Sequence, residues 1–441
     1  MIQLSDHFTY ARLLRFTLPS IVMMVFTSIY GVVDGFFVSN FVGKTPFTAV
    51  NFIMPFLMIL GAVGFMFGSG GSALISKTMG EGDQKKAVEL FSLFVQVTLG
   101  CAVVIAVFGF VFVRPIAAAL GAEGELLDNC VLYARIILIA LPAYMLQFEF
   151  QSFFVTAEKP QLGLYMTIAA GVTNIVLDAL LVAVFRWGLV GAAAATAISQ
   201  CVGGVIPLVY FSRPNTSQLR LVKAPFDGKS LAKACANGFS ELLSNVSMSL
   251  VSMLYNVQLM RYAGEDGVAA YGVLMYVNFV FLSAFIGYSV GTAPVIGYHY
   301  GAGNPQELKG LLKKSLILIG VFSVGMFAVA ELLARPLSML FVGYDRDLLE
   351  LTLRGFFIYA FSFLFAGMAI FGSSFFTALN NGLVSAIMSF LRTLVFQAAA
   401  VMLFPLVWEV DGIWLSIVGA ELMAAVVVVF FLVVMRKKYQ Y

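Results

Sequence analysis

Asp34 stands inside an apolar stretch running from Phe16 to Val42. A carboxylate at that depth in a hydrocarbon environment costs roughly 3 kcal/mol or more, so its retention points to function. Asp178 lies in a second apolar run, Leu162 to Phe185, with Asn174 one helical turn before it. Two carboxylates and an amide oxygen make a hard, all-oxygen donor set, suited to a small cation or a shared proton. Arg392 is a further charge inside an apolar run and needs an acid as partner; Glu421 and Glu241 compete for it.

The elements that must position these groups are membrane helices. Of 441 residues 61% are hydrophobic and 11% charged, against about a quarter charged in soluble domains. Four scattered cysteines (Cys101, Cys130, Cys201, Cys235) form no C-x-x-C pair, which argues against a disulfide framework or a zinc site. His7 and His299 are too few for a haem or di-metal centre. No signal-peptide cleavage pattern is evident, so the first apolar segment is expected to stay as a helix. Hydropathy and turn residues predict twelve spans, near 12–40, 47–77, 84–113, 126–154, 161–184, 188–211, 231–262, 267–298, 307–334, 347–376, 382–404 and 411–435. Pro19, Pro55, Pro142, Pro207 and Pro294 fall inside spans as kink candidates. Most of the 26 Lys and Arg residues fall on one side if both termini are cytoplasmic, the orientation favoured by the positive-inside rule.

An offset of 221 positions carries Gly43 onto Gly264, Gly70 onto Gly291, Gly80-x-Gly82 onto Gly301-x-Gly303 and Arg114-Pro115 onto Arg335-Pro336. Thr156-Ala157 meets Thr377-Ala378, and Gly191 meets Gly412. Each copy holds six spans, an even number, so both insert the same way up. The fold class expected is an all-α integral membrane protein. Its two six-helix lobes, residues 1–218 and 219–441, are related by a pseudo-twofold axis along the membrane normal and enclose a cavity.

The chain resembles the MATE family of multidrug and toxic compound extrusion transporters. The likeness covers essentially all twelve spans. It rests on Pro19 with Tyr30-x-x-x-Asp34, Gly80-Glu-Gly-Asp83, Ala118-Ala-Leu-Gly-Ala122 and Gly297-Tyr-His-Tyr-Gly-Ala-Gly-Asn-Pro305, where the family often has Asn in place of His299. The resemblance implies export of small organic, mainly cationic, drugs or toxic compounds, coupled to H⁺ or Na⁺. One branch of the family carries its cation site in the N-terminal lobe; Asp34, Asn174 and Asp178 match its positions, and Thr196 matches a sixth-span hydroxyl partner. Another branch uses acids in the seventh and tenth spans. Here Glu241 is present in the seventh, but the tenth, Gly355 to Phe376, has no carboxylate.

Depth supports the N-lobe cluster independently of the family. At the α-helical rise, Asp178 lies about 25 Å along its span from Gln161, and Thr196 about 12 Å along its own from Gly188. Both fall in the outer half of the membrane, where Asp34 also falls. At the 221 offset these positions become Tyr255, Val395, Ala399 and Ile417, so the C-lobe copy keeps no acid. An acid pair required only by the fold would have appeared twice. Pro19, lower in span one, offers that helix a place to bend. By the same arithmetic Arg392 lies about 15 Å into span eleven, level with Glu421 on span twelve, which reads as a structural ion pair.

Span seven carries Glu241, Asn245, Ser249, Ser252 and Asn256 on one helical stripe, read as a substrate-cavity lining that Tyr271, Met275 and Asn278 extend on span eight. The 43 Phe and 20 Met suit an adaptable pocket, although most must face lipid or core. Gln147, Glu149 and Gln151 read as a solvated helix end, and His299 as a turn residue. No Gly-Lys-Ser/Thr follows either Gly-x-Gly, and no His-Glu-x-x-His or Gly-x-Ser-x-Gly occurs, so ATP hydrolysis and enzymatic catalysis are not expected. No covalent cofactor and no nucleic-acid partner are expected; the partners are organic cations and the lipid bilayer, and the working form is a monomer. The alternative function is a flippase for lipid-linked saccharides or other amphiphiles. A strongly charged central cavity would mark it, and the lone Arg392 with nearby Glu residues disfavours it.

Overall fold

The computed structural model describes residues 2–441, and helices without any strand account for its regular structure. They are α1 (Tyr10–Phe41), α2 (Lys44–Gly80), α3 (Gln84–Ala119), α4 (Gly124–Ile139), α5 (Leu141–Thr156), α6 (Pro160–Val184) and α7 (Gly188–Ser212). After the linker 213–227 come α8 (Gly228–Gly301), α9 (Pro305–Val342), α10 (Arg346–Ala360), α11 (Phe363–Ala378), α12 (Gly382–Leu403) and α13 (Pro405–Tyr439). Among the described residues nine of these are long and apolar enough to cross a bilayer singly. The pairs α4–α5 and α10–α11 qualify as single spans bent by 59° and 49°.

The 74-residue α8 is two spans. Gly264 breaks it at φ 65°, ψ −154°. Ala234 touches Gly70 and Tyr298 touches Gly80, so both ends of α8 lie against one half of α2. A straight helix between them would reach nearly 100 Å, so the chain must fold back at Gly264. Twelve spans result, as the hydropathy predicts.

The repeat holds with a slip. Gly43 (φ 121°) and Gly264 make the same turn, and the breaks at Gly188 (φ 64°) and Glu409 (φ 50°) also keep the 221 offset. In between, α10, α11 and α12 start 222 residues after α4, α5 and α6. One extra residue in the α9–α10 passage and one fewer before Glu409 account for it, so the duplication is not free of gaps. The bend in span four falls just before Pro142, whose ring removes a backbone donor and crowds the preceding turn. Span ten bends at the equivalent place, Phe361–Ser362, without a proline. Pro19 leaves α1 unbroken.

Glycines press the two lobes together at the end carrying both termini. A Cβ on Gly80 would lie 1.9 Å from the Tyr298 carbonyl oxygen, and one on Gly301 would lie 2.0 Å from that of Lys77. These two contacts are twofold images of each other. Gly70 against Gly238 has its image in Gly291 against Thr17. Farther along the same spans, Gly31, Gly35 and Gly272 have nothing within 4 Å of the Cβ position. The lobes meet closely at the terminus-bearing end.

Candidate cation site in the first lobe

Asp34 (8% exposed), Asn174 (2%) and Asp178 (0%) are buried together on α1 and α6. The Thr196 hydroxyl of α7 donates to Asp34 Oδ1 at 3.4 Å and to the Ala192 carbonyl at 3.1 Å. Asp178 and Asn174 also face the Asp34 carboxylate. All four residues expected from the sequence therefore converge. Asp178 opens a π-helical turn, Asp178–Val184, whose wider winding leaves the end of α6 unable to pair its backbone in the α pattern. Such turns recur at functional sites.

Both Asp178 oxygens and Asn174 Oδ1 are buried without a hydrogen-bond partner. Asp178 facing Asp34 brings acceptor against acceptor, an arrangement that a proton or a cation would complete. Two carboxylates, an amide oxygen and a hydroxyl are suitable ligands for a hard monovalent cation.

Tyr133 of α4 escaped the sequence reading. Its hydroxyl stands beside Thr196 and near both acids, 1% of the residue is exposed, and the oxygen has no partner. A tyrosine in an apolar run gives no polar signal of its own. Tyr30, one turn before Asp34, accepts from Gln147 Nε2 at 3.5 Å. Gln147, Glu149 and Gln151 are not a solvated helix end: their exposures are 6%, 0% and 4%. Thr98 donates to Glu149 Oε1 at 3.0 Å, while Gln147 and Gln151 line a narrow cavity with Thr167 and Gly203. Span four is bent, and the bend carries these side chains into the lobe.

The second lobe has a different polar centre. Arg392 donates from Nε and Nη2 to the two oxygens of Glu421, each at 2.9 Å, and Glu421 is 2% exposed. Glu241 faces Arg392 only from farther away. Arg392 lies on a π-helical turn too, Leu391–Val395, so each lobe places a charge on such a turn of its fifth span, at non-equivalent positions. Tyr255, which replaces Asp34 by symmetry, stacks on Tyr271 at 5.3 Å. In the polar stripe, Asn245 Nδ2 donates to the Glu241 carbonyl at 2.8 Å and Ser249 Oγ to that of Asn245 at 3.2 Å. Glu241, Asn245, Ser249, Ser252, Met275 and Asn278 are half-buried, Tyr271 is buried and Asn256 is exposed. His299 is not a turn residue: it lies in the last helical turn of α8 and is 3% exposed.

Twelve spans in two lobes, with an acidic centre in only one of them, define a multi-pass membrane carrier. The chain belongs to the MatE family, the multidrug efflux transporters: the family's sequence profile matches twice, at residues 19–180 and 242–403. It is 28% identical to the multidrug export protein MepA of Staphylococcus haemolyticus (strain JCSC1435), over 81% of this chain and 80% of that protein. It is 26% identical to MepA of Staphylococcus aureus (strain MSSA476), over 96% of this chain and 94% of the relative. Among solved structures, a MATE protein in complex with MaL6 superposes with TM-score 0.93 at 20% identity, covering 98% of each chain. An outward-facing multidrug resistance MATE transporter of the MOP superfamily superposes with TM-score 0.92 at 21% identity, covering 97% of this chain and 96% of that one.

Proposed function

We propose that this protein exports small organic, mainly cationic, compounds across a bacterial plasma membrane in exchange for inward-moving H⁺ or Na⁺. Its termini are cytoplasmic, its units are residues 1–218 and 219–441, and it works as a monomer. The observation that carries the reading is Asp178, a fully buried carboxylate with both oxygens unpaired and a second carboxylate facing it. Uptake of a proton or Na⁺ from the outer side, with Asn174 and Thr196 as oxygen ligands, cancels one negative charge. That changes how α1 packs on α6 and α7, and Pro19 gives α1 a weak point at which to respond. Bound ion and bound substrate favour different α1 conformations, which couples their fluxes through one bistable element.

In this scheme the half-buried stripe of Glu241, Asn245, Ser249 and Ser252, with Tyr271, Met275 and Asn278, faces the transported compound, and the Arg392–Glu421 pair holds the second lobe rigid. MepA, named as a multidrug exporter, supports the substrate class. The test is efflux of a fluorescent organic cation from vesicles under separately imposed pH and Na⁺ gradients. Asp34→Asn and Asp178→Asn should each abolish gradient-driven efflux, while substrate binding to the purified protein persists. Acids placed at Tyr255 and at Ala400, the position that the one-residue slip sets opposite Asp178, should not rescue either variant. Full export by Asp34→Asn in sealed vesicles would refute the mechanism.

A further inference from the structure

The chain segments that lead into the two lobes cross to the opposite lobe at the terminus-bearing end. Residues 2–9 form a strap ahead of α1. The Leu4 N–H donates to Glu158 Oε1 at 2.8 Å, which anchors the strap to the α5–α6 turn of its own lobe. Farther along it reaches the other lobe: the Phe8 N–H donates to Glu307 Oε1 at 2.8 Å, and His7 Nδ1 lies 2.6 Å from Glu307 Oε2. Leu4 and Phe8 are both 0% exposed, and the Phe8 ring meets Phe16 of one lobe and His299 of the other edge-on. The burial of His299 comes from this strap.

The linker does the same in the opposite direction. It is anchored on α3 through Gln84 Nε2 to the Gln218 carbonyl (2.6 Å) and the Val222 N–H to Ser92 Oγ (2.9 Å). It ends at Asp227, the N-cap of α8 in the second lobe, which receives Lys86 Nζ of the first lobe at 2.9 Å. Symmetry relates the two crossings. The 221 offset carries Lys86 onto Glu307, in the first turns of α3 and α9, and carries Asp6, beside His7, onto Asp227. The third-span places carry opposite charges, Lys86 and Glu307, while Asp6 and Asp227 are both acids. Lys86 reaches an acid on the incoming segment; Glu307 receives donors from one.

We propose that these crossings are a pair of twofold-related clasps that hold the terminus-bearing end of the transporter shut, and that both must open before that end can expose the seam between the lobes. The clasps enclose the glycine-lined seam. Each joins the first turn of one lobe's third span to the segment that enters the other lobe, so separating the lobes at this end pulls directly on it. Charge-assisted hydrogen bonds at both places bias the equilibrium toward the closed seam without touching the acidic centre. The inference does not depend on which ion drives transport.

The experiment reads seam opening directly, without substrate or gradient. In a background with Cys101, Cys130, Cys201 and Cys235 replaced by Ala, Ser76→Cys reports on the seam; Ser76 is 0% exposed, and a Cβ on Gly297 of the other lobe would lie 2.3 Å from its oxygen. The purified protein is treated with a water-soluble maleimide well below each variant's melting temperature. Glu307→Ala and Lys86→Ala should each raise the labelling rate roughly tenfold. The conservative Lys86→Arg, which keeps a charged donor for Asp227 and leaves its cap on α8 intact, should label near the parent rate. Arg114→Ala, which breaks an exposed pair with Asp128 inside one lobe (2.8 Å), should leave the rate unchanged. Parent-like labelling in both clasp variants would overturn the proposal. So would Lys86→Arg labelling as fast as Lys86→Ala, or an equal rise in Arg114→Ala. Because no transport is measured, loss of the coupling mechanism and loss of the clasps are separate results.

Discussion

A buried ion pair is worth most as evidence when one partner is removed. Arg392 makes a two-pronged contact with Glu421, and little of either side chain reaches solvent. Arg392→Met leaves Glu421 as a lone buried carboxylate, a change that typically costs about 3–5 kcal/mol. Thermal unfolding in detergent should therefore fall by several degrees, and exchanging the two charges should recover part of the loss; an unaltered melting temperature would show that Glu421 finds another donor. Asp227 supports a prediction in pH. Hydrogen bonds from Ser230 and Lys86 hold its carboxyl well below the ordinary carboxylate range. Because the folded value is the depressed one, the stabilisation is present in full above the unfolded pKa of about 4 and is lost as pH falls through the folded value. The stability difference between the parent and Asp227→Asn should stay constant from pH 7 to about 4 and shrink below it.

Among the elements, the contact of α2 with the second half of α8 is one where backbone approach excludes any side chain. Gly80 and Gly301 face the Tyr298 and Lys77 carbonyls at distances no Cβ tolerates. Gly80→Val or Gly301→Val should therefore force the lobes apart at the terminus-bearing end. Labelling of Ser76→Cys should rise in each, and driven efflux should fall. Gly100→Ala and Gly325→Ala, with open space at the Cβ position, should change neither. In those two helices alanine should even gain a few tenths of a kcal/mol or more through its higher helix propensity. The π-helical turns at Asp178 and Arg392 belong to this scale as well. Both lie on the fifth span of a lobe, and neither has a proline or glycine inside it that would have announced it.

At the scale of the whole molecule, closure at one end is set against the twofold relation of the lobes. Lys44 and Glu265 are exposed, symmetry-related residues in the turns at the end away from the termini. Spin labels placed there through Lys44→Cys and Glu265→Cys should show two distance populations. The shorter one should grow under conditions that raise labelling of Ser76→Cys, as expected when two rigid lobes rock about a central contact. A single unchanging distance, while Ser76→Cys labelling varies, would mean that the seam opens by local movement alone.

The span count, the duplicated order and the lone acidic centre were legible in the sequence, because hydropathy and the cost of a charge in hydrocarbon are local properties that accumulate along the chain. Helical rise sets Asp178 and Thr196 in the outer half of the membrane, where Asp34 falls late in an outward-running span and Asn174 lies one turn from Asp178. What the sequence left open is how each helix is turned about its axis. Lipid and protein interior accept the same apolar side chains, so the pattern of hydrophobic residues specifies rotation weakly. Tertiary packing therefore decided that Tyr133 joins the acidic centre, that Glu149 is enclosed rather than solvated, and that Arg392 takes Glu421 rather than Glu241. It also decided the one-residue slip in the repeat and the burial of His299 under the strap. Both depend on how loops close and on contacts between residues nearly 300 positions apart, which no window of sequence contains.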